Sequence, residues 1–253
     1  MKGHLPMIRG MGWSALAALV LAGCGVEDPE AQCVVARAVT DGSIGSFATV
    51  YTLLPGQNPD LQCARLAPEA VGMQKYFSQD PKAPDTVALR SARMGKLLVD
   101  FKDRPDLDAS HTPYSVGPLA SEGPGADNFC DVPQLSTTRL EVPATDTLPA
   151  QSFAYEWSNL RIYNTPGIPG TQFKADLRYS ENGCTATYQA KGIWPVVSCA
   201  TAGKPDDVKC DPYPDFEAGR LRGSGINPVF PVKCDPVALI CVLTGEVPSD
   251  ETP

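Results

Sequence analysis

The sequence predicts a mainly β protein: antiparallel hairpins building a sheet, sandwich-like in its layering, with long proline-rich loops and one or two short helices, the whole stapled by disulfides. Three observations predict it. From 152 to 199 apolar and polar residues alternate around Asn182-Gly183, and an Asn-Gly pair between alternating runs is the strongest short hairpin signal. Prolines number 25, about twice the usual share of roughly 5%, and proline breaks helices and central strands alike. Cysteines number nine, and an exported chain oxidises its cysteines in pairs.

The elements follow in order. Lys2 and Arg9 form a short basic start, and Met11 to Ala22 are mostly apolar. Those residues reach about 18 Å as a helix, short of a hydrocarbon core of roughly 30 Å, so they read as a signal segment rather than a span. Leu21-Ala22-Gly23-Cys24 follows and resembles the lipobox of bacterial lipoproteins. The resemblance implies cleavage between Gly23 and Cys24, a diacylglyceryl group on the Cys24 sulfur, and a further palmitate-like acyl chain on the new terminus. Two or more chains anchor stably where one does not. Gly25 rather than Asp comes next, which under the same resemblance implies the outer membrane. The chain therefore divides into a signal peptide (1–23), a lipid-anchored tether (24–31), one disulfide-rich domain (32–246) and a flexible polar tail (247–253).

Assigning Cys24 to lipid leaves Cys33, Cys63, Cys130, Cys184, Cys199, Cys210, Cys234 and Cys241. That set is even, as a fully oxidised framework requires, although eight cysteines allow 105 connectivities. Two pairings have local geometry behind them. Cys199 and Cys210 flank the turn-rich Gly203-Lys204-Pro205-Asp206, and Cys33 and Cys63 lie at the outer ends of a hairpin and its following loop. No CxxC or Cys/His pair occurs, so no metal site is expected.

Within the body, Cys33 to Leu54 reads as a hairpin turning at Asp41-Gly42, its second arm rich in β-branched and aromatic residues. Pro68-Glu69-Ala70-Val71 reads as the start of a helix. Met94, Leu97, Leu98 and Phe101 fall on one face of another. From 104 to 150 seven prolines and little periodicity read as long ordered loops of the same domain, Ser121 to Asp127 plainly so. Phe153, Tyr155 and Trp157 then alternate, and Leu160 and Ile162 continue on the opposite parity. A bulge at Ser158-Asn159 keeps all five on the buried face. Phe173, Ala175, Leu177 and Tyr179 alternate with Gln172, Lys174, Asp176 and Arg178. A two-residue turn at Asn182-Gly183 pairs Tyr179 with Ala186, Leu177 with Tyr188 and Ala175 with Ala190; a four-residue loop keeps that parity and a three-residue loop reverses it. The other face of this sheet is solvated. Val237 to Leu243 is apolar on both parities and reads as a buried central strand.

Tyr155-Glu156-Trp157-Ser158-Asn159-Leu160-Arg161-Ile162-Tyr163, Gly225-Ile226-Asn227-Pro228-Val229-Phe230 and Cys234-Asp235-Pro236 resemble a group of myxobacterial lipoproteins. That resemblance implies an outer-membrane lipid anchor and no known catalytic residue.

Chemistry is sparse. The formal charge is −8, and the leader would take two cations with it, so neither nucleic acid nor an anionic surface is a fitting partner. His111 is the one histidine outside the leader, and Arg222-Gly223-Ser224-Gly225-Ile226 lacks the spacing of a nucleophile elbow. Asp100, Asp103, Asp106 and Asp108 lack the order of a calcium loop and are offset by Lys102 and Arg104. Phosphate-binding glycine loops are absent. Trp157, Tyr188 and Trp194 could stack sugars, but their apolar parity assigns them to the core. The expectation is a non-catalytic, cofactor-free envelope lipoprotein with a structural or partner-binding role, its partner an envelope protein or a glycan. The alternative is a hydrolase of polysaccharide or peptidoglycan using paired carboxylates, which leave no local spacing.

Overall fold

The computed structural model describes residues 31–36, 45–103, 112–147 and 149–249. Strands β1 (Gly45–Leu53), β2 (Glu69–Tyr76) and β3 (Thr86–Ser91) come first, followed by helix α1 (Ala92–Asp100). Strands β4 (Ser115–Pro118), β5 (Phe129–Gln134) and β6 (Thr138–Val142) are short. The long ones are β7 (Gln151–Asn164), β8 (Pro169–Glu181) and β9 (Cys184–Ile193). After them come two small ribbons, β10 (Ala200–Thr201) with β11 (Lys204–Pro205) and β12 (Val232–Cys234) with β13 (Cys241–Leu243).

The mainly β, antiparallel, disulfide-stapled class is as expected. The first nine strands form one sheet in the order β4-β3-β2-β1-β9-β8-β7, with β5 and β6 sharing the far side of β7. Its layering is a single sheet curled until its ends meet, rather than two sheets stacked. Ala120 N–H donates to Asp131 O and Ser136 N–H to Val116 O, both at 2.8 Å, bridging the first strand of the order to the last. Gly117 lies in this seam, where a Cβ would stand 2.2 Å from the Gln134 carbonyl oxygen.

Register follows the alternation. Asn182 and Gly183 both have positive φ, 51° and 80°, as a two-residue hairpin turn demands. The pairs Tyr179–Ala186, Leu177–Tyr188 and Ala175–Ala190 form as read from the sequence. The bulge also forms: Ser158 pairs with Asp176 and Arg161 with Lys174, so three steps on β7 face two on β8. All five residues that motivated it are buried. Pro133 of β5 falls between Val132, paired with Leu160, and Gln134, paired with Ser158. It therefore faces the bulged Asn159, where a residue without an N–H costs least. Inside the wall Phe47 meets Phe173 edge-on at 5.4 Å, and Tyr155 meets Tyr179 at 5.0 Å.

The two ends of the wall differ. The foot carries Tyr76, Thr86, Pro118, Asn164 and Pro169. The mouth carries Glu69, Glu181 and α1, whose Ser91 side chain accepts the Met94 N–H at 3.1 Å. Helix α1 forms on the expected face: Met94 is buried, and Leu97, Leu98 and Phe101 pack against the core.

Several expectations are corrected. The hairpin in 33–54 has only its second arm, β1; residues 31–36 are not strand, and Val39 and Asp41-Gly42 lie outside the described residues. Glu69 begins β2, not a helix, because Val71 and Met73 alternate inward while Ala70, Gly72 and Gln74 face out. Three strands, β4 to β6, occupy the stretch read as loop. β4 and β5 take their register from partners more than twenty residues away, which no local pattern records, while β6 pairs with β7, the next strand in the chain.

The disulfides are Cys33–Cys130, Cys63–Cys184, Cys199–Cys234 and Cys210–Cys241, so neither local pairing holds. Topology, not sequence proximity, brings the partners together. Val237 is 75% exposed, because the Asp235 carboxylate accepts the Val237 and Ala238 N–H groups and turns the chain. Only Cys241–Leu243 is strand. Finally, the outer face of β8 and β9 is not wholly solvated. The segment after Cys199 lies over its lower half, burying Gln172 and Lys191. Lys191 pairs with Glu246 at 2.7 Å and Lys174 donates to Val247 O at 3.2 Å. Residues 247–249 are thus held rather than loose; 250–253 lie outside the described residues.

Candidate functional site

The outer faces of β2 to β4 carry no such cover, and on β1 only the start is open, since Ala48 is buried against the segment after Cys199. Parity puts Ser46, Ala70, Gly72, Gln74, Ala88, Arg90 and Val116 outward there, and most are small. The pairings Ser46–Gly72–Arg90 and Gln74–Ala88–Val116 set them in rows across the strands. Tyr114 precedes β4 beside Arg90, and Tyr76 ends β2. Small side chains between two tyrosines leave a groove of about 470 Å³, closed on one side by Gly95 of α1. That volume lies within the range of small-ligand sites, roughly 300–1,000 Å³. Tyr76 and Tyr114 are about half exposed, and the Arg90 side chain has no hydrogen-bond or ion-pair partner among the described residues. The groove offers two aromatic faces, a flat floor and one cation. It has the makings of a binding surface and no constellation for covalent chemistry. Trp157, Tyr188 and Trp194, weighed as sugar-stacking rings and assigned by their parity to the core, take no part in it. The first two are buried and the third packs against the core. The signal for the groove was the row of small residues on the parity opposite Val71, Met73, Val87 and Leu89.

The second concentration of polar groups is at the mouth. Glu69 Oε1 accepts from Tyr51 OH (3.0 Å) and Tyr155 OH (3.1 Å), and Oε2 accepts the Arg93 N–H (2.7 Å). Glu181 accepts from Tyr179 OH (2.7 Å), the Arg93 guanidinium (2.7 Å) and Gln62 Nε2 (3.0 Å). Arg93 also lies 5.7 Å from the Phe153 ring and 5.6 Å from that of Tyr179. Arg93 thus links two carboxylates, through its backbone N–H and its guanidinium, a convergence of residues 112 apart that sequence alone cannot reveal. Yet each carboxylate accepts three bonds from the protein itself, out of about four lone-pair sites.

Burial pushes the Glu69 carboxyl above its ordinary range, and the Arg93 N–H and two tyrosine hydroxyls offset this only in part. Burial also raises Tyr51 and Tyr155, with the Glu69 charge adding to it. Glu69 therefore holds its proton in the folded chain at pH values where the unfolded chain has released it. Stability falls as pH rises through that window, from the ordinary glutamate range up to the raised folded value, by at most about 1.4 kcal/mol per pH unit. Glu69→Gln lacks that slope, whatever its constant cost. Urea midpoints of both chains across mildly acidic pH check this, and parallel curves would sink it.

Gly23, Cys24, Asp106, Asp108 and His111 lie outside the described residues. Asp100 pairs with Lys96 at 2.6 Å on α1. The Sγ atoms of Cys199, Cys210 and Cys241 lie within 4.8 Å of one another, but all three are consumed in disulfides; the thiolate is the ligating form of cysteine.

The MlpA family model matches residues 45–195, which is the curled sheet from the first residue of β1 to just past β9. A protein of Myxococcus xanthus named "Putative lipoprotein MlpA" is 32% identical over 242 residues, covering 92% of this chain and 93% of that one. No solved structure matches the chain. With its sheet spanned by the family model and a relative aligned over nearly its whole length, the chain belongs to the MlpA family.

Proposed function

We propose that this protein is a lipid-anchored cell-envelope lipoprotein of the outer membrane, non-catalytic, that presents the groove on β1 to β4 to an envelope partner. The observation that carries the anchor is cysteine bookkeeping in three dimensions. The eight cysteines of the body pair off among themselves, so Cys24 has no disulfide partner within the chain. It stands at the end of Leu21-Ala22-Gly23 with its sulfur free for a thioether. The name of the Myxococcus relative supports the same reading, and Gly25 in place of Asp favours the outer membrane. A non-catalytic role is supported at the mouth, where Glu69 and Glu181 each give three of about four lone-pair sites to internal donors. A general base needs a free lone pair within reach of its substrate.

One experiment tests both halves. Cells grown with labelled palmitate express the chain, and its Cys24→Ala variant, each with a photo-crosslinking residue at Ala88. The expected result is acyl label and outer-membrane fractionation for the first and loss of both for Cys24→Ala, with an envelope adduct formed from position 88. Equal labelling of the two chains would end the anchor. Labelling without any adduct would end the groove's role.

A further inference from the structure

We infer that the foot of the curled sheet makes a second, protein-borne contact with the bilayer, in which Phe77, with Tyr76 and Val34 beside it, enters the lipid interface next to the anchor. The inference rests on the lipid anchor at Cys24 proposed above.

The point where the leash ends is fixed. The Ala31 carbonyl lies against Gly123, the Cys33 N–H donates to Glu122 O at 2.8 Å, and Cys33 is bonded to Cys130. Gly123 and Glu122 belong to the loop leaving β4, and Cys130 is the second residue of β5, so all three fixings are at the foot. Phe77 is tied to the same spot. Lys75 Nζ donates to Cys33 O at 2.8 Å and stands 4.8 Å over the Phe77 ring. A cleft of about 160 Å³ runs between them, lined by Cys33, Val34 and Phe77 among others.

The length of the leash sets which end can meet the membrane. From Cys24 to Ala31 there are seven residue steps, at most about 25 Å of extended chain. The wall is taller: the thirteen residues of β8 rise roughly 33 Å at a barrel-like tilt of about 40°, before α1 is added beyond them. An inverted body, mouth against the bilayer, would need a longer leash. The foot, or a side wall near it, must be the part that faces lipid.

That end carries three exposed apolar groups. Phe77 is 71% exposed, Tyr76 49% and Val34 40%. Single exposed apolar residues are ordinary. Three of them gathered at the fixed end of a lipid leash are not, and aromatic rings favour the membrane–water boundary. The charges argue for apolar insertion rather than attraction to anionic lipid. Lys75 is paired with Asp85 at 2.8 Å, and the loop between them holds one further cation, Lys82, and one further anion, Asp80.

The test uses the full lipidated chain in phosphatidylcholine vesicles, with and without acyl chains brominated near the headgroup. Phe77→Trp is compared with Val99→Trp, an equally open position on α1 at the mouth, each after subtracting the wild-type emission of Trp157 and Trp194. The wild-type emission also reports that the fold is intact. The expected result is a blue shift and roughly two- to threefold stronger quenching at position 77 than at 99, unchanged by added anionic lipid, as a purely apolar contact requires. Equal quenching at the two positions on vesicle-bound protein would overturn the foot contact and leave the anchor standing. A blue shift without quenching would assign the foot to a protein neighbour, a second copy included, and would overturn it too. A chain that does not stay with the vesicles at all would fail on the anchor itself, and the foot contact would fall with it.

Discussion

Replacing Cys63 and Cys184 together by alanine is expected to lower stability by about 4–5 kcal/mol, from the loop-closure entropy that a bridge of that span removes from the unfolded chain. The four bridges span 121, 97, 35 and 31 residues. The same relation gives each of the two short ones just under about 4 kcal/mol, so loss of the two long ones should cost more. Cys63–Cys184 should show the largest effect, because it also fixes groups at the mouth. Gln62, next in sequence, donates to Glu181. The Cys63 carbonyl and the Leu66 N–H bracket the Tyr188 hydroxyl at 2.5 and 3.1 Å. Urea unfolding of the four double variants measures the ranking. A Cys63/Cys184 variant no less stable than Cys210/Cys241 would show that the bridge restrains a chain already restrained by other means.

Gly117→Ala is the second large effect, about 3–5 kcal/mol. A Cβ at this position meets the Gln134 carbonyl at 2.2 Å and the Val132 side chain at 2.7 Å. The nearer obstacle is backbone, which no rotamer change relieves. The strand must withdraw from β5, and the Val116–Ser136 and Ala120–Asp131 bonds stretch with it. Overpacking of about 1–3 kcal/mol and two weakened hydrogen bonds of about 1 kcal/mol each make up the figure. Thermal unfolding checks the size, and amide exchange checks the place: Ala120 and Ser136 should lose protection before any amide of β8. A variant as stable as the parent would mean that the ends of the sheet do not close in solution.

Legibility in the sequence tracked locality. β7, β8 and β9 are neighbours in both chain and space, so alternation, the Asn-Gly turn and the bulge could be read directly. α1 was equally open, since its face lies within eight residues. β4, β5 and β6 were invisible because prolines and short length hide period two, and their register comes from β3 and β7. Pro133 reads as a strand breaker until it is seen opposite Asn159. Val237 to Leu243 misled in the opposite sense: an apolar run implied burial, while Asp235 turned the chain through its side chain. The groove on the outer face was half legible, as small residues on one parity. The Glu69–Arg93–Glu181 network was not legible, because nothing in a sequence marks which carboxylates converge.

The strand order also imposes a timetable. β9 lies between β1 and β8, so β1 pairs on one side with β2, about twenty residues on, and on the other with residues 188–193. A chain emerging amino-terminus first therefore completes β1 to β4 long before β1 can find its second partner. During that interval one edge of β1 and the free edge of β4 are open ladders, the condition in which sheets join wrong neighbours. The last strand of the sheet to be synthesised is a central one, and its arrival joins two ribbons into one curled wall whose end strands are bridged.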